Sequence, residues 1–177
     1  MTEGLFAIHT GNGKGKTTAA LGLVFRALGH GQKVSVIQFI KGSWRTGEQK
    51  FAEVLSNSQP GLLDFQVCGK GFTWKSDNIE EDTALAREAW QRAAEIIAAG
   101  EHQLVILDEL TYLVKYKMVV EDEILDAILS RPEHVHVVVT GRHAPNSFID
   151  AADLVTEMEN TRHPYSSGIK AQKGFDF

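Results

Sequence analysis

The stretch "TGNGKGKTT" at residues 10–18 carries the densest chemical signal in the sequence. A glycine, four residues, then Gly-Lys-Ser/Thr is the spacing of a phosphate-binding loop. Gly15, Lys16 and Thr17 fit its end, but its first position falls on Thr10, and Lys14 adds a lysine inside the loop. Glycine-rich backbone running into a helix points several N–H groups, and the positive end of the helix dipole, at one anion. Gly11, Gly13 and Gly15 permit backbone angles and close approaches that side chains resist. Lys16 offers a charged donor to phosphate oxygens, and Thr17 offers a hydroxyl to a magnesium ion. The whole stretch is therefore a candidate ATP-binding segment: Thr10, Gly11, Asn12, Gly13, Lys14, Gly15, Lys16, Thr17 and Thr18.

A magnesium–nucleotide site also needs a carboxylate at the end of another strand. "LVILDE" supplies Asp108 and Glu109 there. Neighbouring strand residues point to opposite faces, so one is expected to meet the metal or its water and the other to orient a neighbour. Arg142, in "TGR", can clamp a phosphate, because guanidinium matches phosphate geometry. Lys41, in "QFIKG", is a further candidate phosphate contact at a strand end. His9 sits inside an apolar run and reads as a hydrogen-bonded core histidine rather than a ligand. His163 lies in a tail turn with no partner at ligand spacing. Cys68 is the single cysteine, so it reads as a small buried residue, and a disulfide framework within the chain is excluded.

The elements that must position these groups follow from apolar periodicity. Strands are expected at 5–9, 33–40, 62–68, 103–110 and 135–140, with another near "LVTEM". Helices are expected from Lys16 to a stop at Gly29 or Gly31, between Asp77 and Ala99, over 121–130, and near "NSFIDAA". The tail from Arg162 has turn residues and no period. Strands alternating with helices imply an α/β chain, a mostly parallel sheet covered by helices on both faces; with the glycine loop after its first strand, the expected fold class is P-loop NTPase-like (RecA-like). In such sheets ligands bind beyond the carboxyl ends of the strands, where the glycine loop, Asp108 with Glu109, and Arg142 all fall.

With 177 residues, 43% of them hydrophobic and 23% charged, residues 1–177 suit a single globular domain with a sizeable core. The net charge of −5 argues against a nucleic-acid binder, which usually carries a basic excess. No basic start precedes a long apolar run, and no run is long enough to span a bilayer. A cytoplasmic protein with neither a signal peptide nor a membrane partner is the expectation.

Beyond the loop, "QFIKG", "GFTW", "LDELTYLVKY", "VVVTGR", "AADLVTEM" and "GIKAQKGFDF" follow in order. Joined to "TGNGKGKTTAA", the set resembles the P-loop type of ATP:corrinoid adenosyltransferase over nearly the whole chain. The resemblance implies transfer of the 5′-deoxyadenosyl group of ATP to the cobalt(I) of a reduced corrinoid, with release of triphosphate, in adenosylcobalamin biosynthesis or salvage. It implies a reversed nucleotide placement in the altered loop, with C5′ facing the cobalt and Lys16, the loop amides and Mg2+ offsetting the charge of the departing group. It assigns Phe72 and Trp74 of "GFTW" as a wedge that excludes the axial ligand of cobalt(II) and so eases its reduction. It further implies a reduced flavoprotein as electron donor and a homodimer. Longer members carry an N-terminal helical arm, whereas only a few residues precede "LFAIH", so the corrinoid is expected to be covered differently or left more exposed. The competing readings are a P-loop ATPase or kinase acting on another substrate, and a carrier that holds ATP and corrinoid without chemistry.

Overall fold

The structure, a computed structural model, describes residues 3–40, 45–68 and 79–177. Short runs rich in β-branched residues form its strands: β1 (Phe6–Thr10), β2 (Val34–Gln38), β3 (Leu63–Val67), β4 (Leu104–Asp108), β5 (His136–Thr140) and β6 (Leu154–Glu157). They pair in the order β3-β2-β4-β5-β1-β6, every pair parallel. Parallel strands need crossovers, which the helices supply: α1 (Lys16–Gly29), α2 (Gly47–Ser58), α3 (Ile79–Ala99), α4 (Thr111–Lys115), α5 (Glu121–Leu129) and α6 (Asn146–Ala151), with a 3-10 turn at Pro164–Ser167.

Alternate side chains of the central strands enter two separate cores. Phe6, Ile8, Val105, Leu107, Val137 and Val139 pack with Trp90 and Ile97 of α3, Ile124 and Ile128 of α5, and Phe148 of α6. Ala7, Val34, Val36, Leu104, Ile106 and Val138 pack with Ala20, Val24 and Ala27 of α1 and Ala52 of α2. Helices therefore cover both faces, and this doubly buried environment is why the central strands read as continuous apolar runs. The outer strand β6 is exposed throughout.

The expected strands all form, trimmed by a residue or two at most ends. α1 runs to Gly29, with His30 as its C-cap and Gly31 in the left-handed region at φ 70°. Two helices arise where none was expected. α2 buries only Ala52, so its apolar period is weak. Its start is fixed by a reciprocal capping box, in which the Thr46 N–H donates to Gln49 Oε1 at 2.9 Å and the Gln49 N–H to Thr46 Oγ1. α4 is a five-residue helix just beyond β4, too short for periodicity to reveal.

One consequence of the strand order governs the site. β5 lies between β1, which leads into the glycine loop, and β4, which ends in Asp108. Any link from the loop to Asp108 must cross the end of β5.

Candidate functional site

The loop between β1 and α1 is shaped by its neighbours as well as by any ligand. Gly11 has φ 95°, and a Cβ there would sit 2.4 Å from the Met158 carbonyl oxygen. A Cβ on Gly13 would sit 2.5 Å from the Glu159 carbonyl oxygen. The chain leaving β6 thus presses on the loop, and the Gly13 N–H donates to Met158 O at 2.6 Å. That amide is committed to the fold. Further along, the N-terminus of α1 is open: its N-cap, Gly15, makes no side-chain cap, and no acidic residue stands in the first turn. Unsatisfied N–H groups and the helix dipole there favour an anion.

Lys16 is buried at 6% exposure and folds back over its own loop. Its Nζ donates to Gly11 O at 2.9 Å and Gly13 O at 2.6 Å. Burial lowers its pKa below the ordinary 10.5; Glu109 opposes that shift, Arg142 adds to it, and Asp108 opposes it. Thr17 Oγ1 donates to Asp108 Oδ1 at 2.8 Å, Thr140 Oγ1 donates to the same oxygen at 2.6 Å, and Gln38 Nε2 donates to Asp108 Oδ2 at 2.9 Å. Asp108 therefore joins the loop, β5 and β2. Glu109 leaves the strand in a left-handed conformation, φ 63°, with its N–H donating to Thr140 Oγ1 at 3.0 Å. Such strain in a residue with a side chain marks functional sites.

A cavity of about 510 Å³ opens over these groups. Gly13, Lys14, Gly15, Lys16, Thr17, Thr18, Glu109 and Arg142 line it, from the expected set. Thr10, Gly11, Asn12 and Asp108 stand outside the lining; Thr10 is buried, and its Oγ1 accepts from the Ala144 N–H at 3.3 Å. The two acids thus divide: Asp108 is buried behind Thr17, and Glu109 borders the cavity. Lys41, Phe72 and Trp74 lie outside the described residues. Among the described residues no group of three or more His, Cys, Asp or Glu could hold a metal. A Thr17 hydroxyl held on the Asp108 carboxylate, with Glu109 lining the same cavity, nevertheless fits magnesium, which keeps water and phosphate oxygens as most of its ligands.

Several lining residues stand outside the expected site set. Tyr112 of α4 faces the cavity, its pKa raised by burial and then by Glu109. Gly47 and Glu48 enter from the start of α2, and His163 and Gly174–Phe177 come from the tail. The tail stretch "GIKAQKGFDF" stands out only as part of the ordered set of segments, and nothing in its spacing predicts contact with the loop. His9 is buried as expected, with Nδ1 3.4 Å from Lys16 O and its pKa lowered chiefly by burial. Cys68 is buried and unpaired by any disulfide, 3.8 Å from Arg92 Nη2.

A phosphate loop opening a helix, a lysine folded over it, and a threonine hydroxyl on a buried strand-end aspartate define a P-loop nucleotide-binding protein. The flagellar accessory protein FlaH of Methanocaldococcus jannaschii shares this fold, with a TM-score of 0.58, 14% identity, and coverage of 89% of this chain and 72% of that one. The ATP:corrinoid adenosyltransferase BtuR/CobO/CobP family profile matches residues 2–177. A corrinoid adenosyltransferase of Escherichia coli K12 is 44% identical over 99% of this chain and 86% of its own length. One from Pseudomonas aeruginosa is 47% identical over 99% of this chain and 84% of its own length. The chain belongs to the ATP:corrinoid adenosyltransferase family.

Proposed function

We propose that the cavity over Lys16 holds the polyphosphate of ATP while cobalt(I) of a reduced corrinoid takes the 5′-carbon. The observation that carries this reading is the open N-terminus of α1 beside Lys16, Thr17, Glu109 and Arg142 in one cavity. Cobalt(I) gives its electron pair to C5′, the C5′–O5′ bond breaks, and that pair leaves with triphosphate as cobalt becomes formally cobalt(III). The metal is already the nucleophile, so no protein base is required. What the chain supplies is position and charge. Lys16, released from its loop carbonyls, and the free loop amides meet the oxygens on which negative charge grows. Thr17 and Glu109 would hold the Mg2+ of magnesium-ATP, whose charge would offset that of the leaving group, and Asp108 fixes Thr17. Arg142 lines the same cavity. Holding C5′ in line with cobalt removes orientational cost.

Lys41 is proposed as a further phosphate contact. Phe72 and Trp74 are proposed to strip the axial ligand from cobalt(II), so that a reduced flavoprotein can deliver the single electron that makes cobalt(I). Replacing both by alanine is expected to cut adenosylation from cobalt(II) at least tenfold more than adenosylation from chemically supplied cobalt(I). Equal losses would remove the wedge from the account. A cytoplasmic homodimer acting in adenosylcobalamin biosynthesis or salvage is the proposed setting. Among the described residues no helix is long and apolar enough to cross a membrane.

The reading is tested by incubating the protein with magnesium-ATP and reduced cobalamin. An adenosylated corrinoid, formed one for one with inorganic triphosphate, supports it. Corrinoid-independent ADP and phosphate would refute it.

A further inference from the structure

Lys14, the extra lysine of the loop, is gripped from the far end of the chain. Its Nζ lies 2.8 Å from Asp176 Oδ1 and 5.6 Å from the centre of the Phe175 ring. Asp176 is itself held in a closed turn. Its Oδ2 accepts from the Gln172 N–H at 2.8 Å, and its own N–H donates to Gln172 O at 2.8 Å. The Gly174 N–H donates to Phe177 O at 2.9 Å, closing the turn from the other side. Lys14 and the Gly174–Phe177 stretch line the same cavity as Lys16.

The two loop lysines are thus secured by different means. Lys16 is fixed by burial and by two carbonyls of its own loop. Lys14 is more exposed, on a flexible four-carbon stem, and an ammonium so placed occupies many rotamers unless something selects one. An ammonium carries three donors, so a bond to Asp176 leaves two for another acceptor.

We infer that Asp176 is a positioning residue for nucleotide binding, holding Lys14 against the Phe175 ring so that its remaining N–H groups meet the polyphosphate in the cavity. This rests on the nucleotide reading above. The sign of the effect is diagnostic. A carboxylate beside a polyphosphate repels it, so Asp176 acting only as a charge would weaken binding, and its neutralisation would tighten it. Asp176 acting through Lys14 does the opposite.

The test is equilibrium binding of inorganic triphosphate, and separately of magnesium-ATP without corrinoid, to four variants: Asp176→Asn, Asp176→Glu, Lys14→Ala, and Lys14→Ala with Asp176→Asn. For an exposed ion pair the expected loss in Asp176→Asn is about three- to fivefold in triphosphate affinity. KM for ATP should rise by a similar factor with kcat nearly unchanged. Asp176→Glu should recover most of the loss, and Asp176→Asn should cost nothing further once Lys14 is alanine. Tighter or unchanged binding in Asp176→Asn overturns the inference, as does an equal loss with and without Lys14, which would mark the tail turn as merely structural. The wild-type protein separates the two levels. Failure to bind triphosphate or ATP refutes the nucleotide reading itself, whereas normal wild-type binding with indifferent variants refutes only the role of Asp176.

Discussion

The floor and the wall of the cavity are built on opposite principles. The floor comprises Lys16, folded over its own loop after β1, and Thr17, which lines the cavity on a hydrogen-bonded support of Asp108 and Thr140 at the ends of β4 and β5; Lys16, Asp108 and Thr140 are buried. The wall comprises Lys14, Tyr112 and Arg142, close in sequence to the floor, with His163 and the 174–177 stretch brought from the tail, where Lys14 meets Asp176 in an exposed contact. The Thr17–Asp108–Thr140 support can be preorganised, because its donors and acceptors satisfy one another and resist rearrangement, whereas in the proposed reaction Lys16 exchanges its loop carbonyls for phosphate oxygens. The wall must admit and release two substrates, and contacts of low individual strength allow that. In the proposed reaction, chemistry belongs to the floor and selection to the wall.

The largest effect expected from breaking this division is at Lys16. Lys16→Ala should lower adenosyl transfer by about 100-fold or more, the usual cost of removing one donor from a developing anion. Single-turnover assays with supplied cobalt(I) measure it. A loss no greater than that of Lys14→Ala would erase the distinction between floor and wall.

The two adjacent acids sharpen the contrast next. Asp108→Ala strands the donors of Thr17, Thr140 and Gln38 in a buried place, which should cost about 2–4 kcal/mol of stability as well as activity. Glu109→Gly removes the cavity carboxylate but relieves a positive φ, so activity should fall while stability stays within about 1 kcal/mol. Denaturant midpoints of the two variants check both. Equal destabilisation would show that Glu109 is also part of the structural floor.

The smallest effect is a proton. Burial holds the Lys16 pKa below 10.5, and a bound polyphosphate favours the charged amine and raises it again. Between the depressed and the restored values, the free site lacks a proton that the bound site holds. Nucleotide binding should therefore take up a fraction of a proton that grows as pH rises into this window. Calorimetry of ATP binding in buffers of different ionisation enthalpy measures the uptake, and Lys16→Ala should abolish it.

The same division explains how much was legible in the sequence. Spacing revealed Gly15, Lys16 and Thr17, because a phosphate loop is contiguous. Apolar runs revealed the strand that ends in Asp108 and the one that leads to Arg142, because doubly buried parallel strands leave a plain signature. Tyr112 was hidden because α4 is too short for a period, and Glu48 because α2 is fixed by its Thr46–Gln49 capping box more than by an apolar face. The tail was hidden because its partner is some 160 residues away, and a lone Lys14–Asp176 pair has no spacing. The glycines were legible only in part. Gly11 and Gly13 answer to the Met158–Glu159 backbone, a contact that no local pattern encodes.

The central claim is that the cavity stabilises triphosphate as it departs from carbon. ATP labelled with heavy oxygen at the 5′ bridging position, turned over with reduced cobalamin, tests it most directly. Cleavage of the C5′–O bond predicts that all the label leaves in inorganic triphosphate while the adenosylated corrinoid carries none. Label retained on the nucleoside fragment would mean that the bond broken is to phosphorus, and would contradict the account.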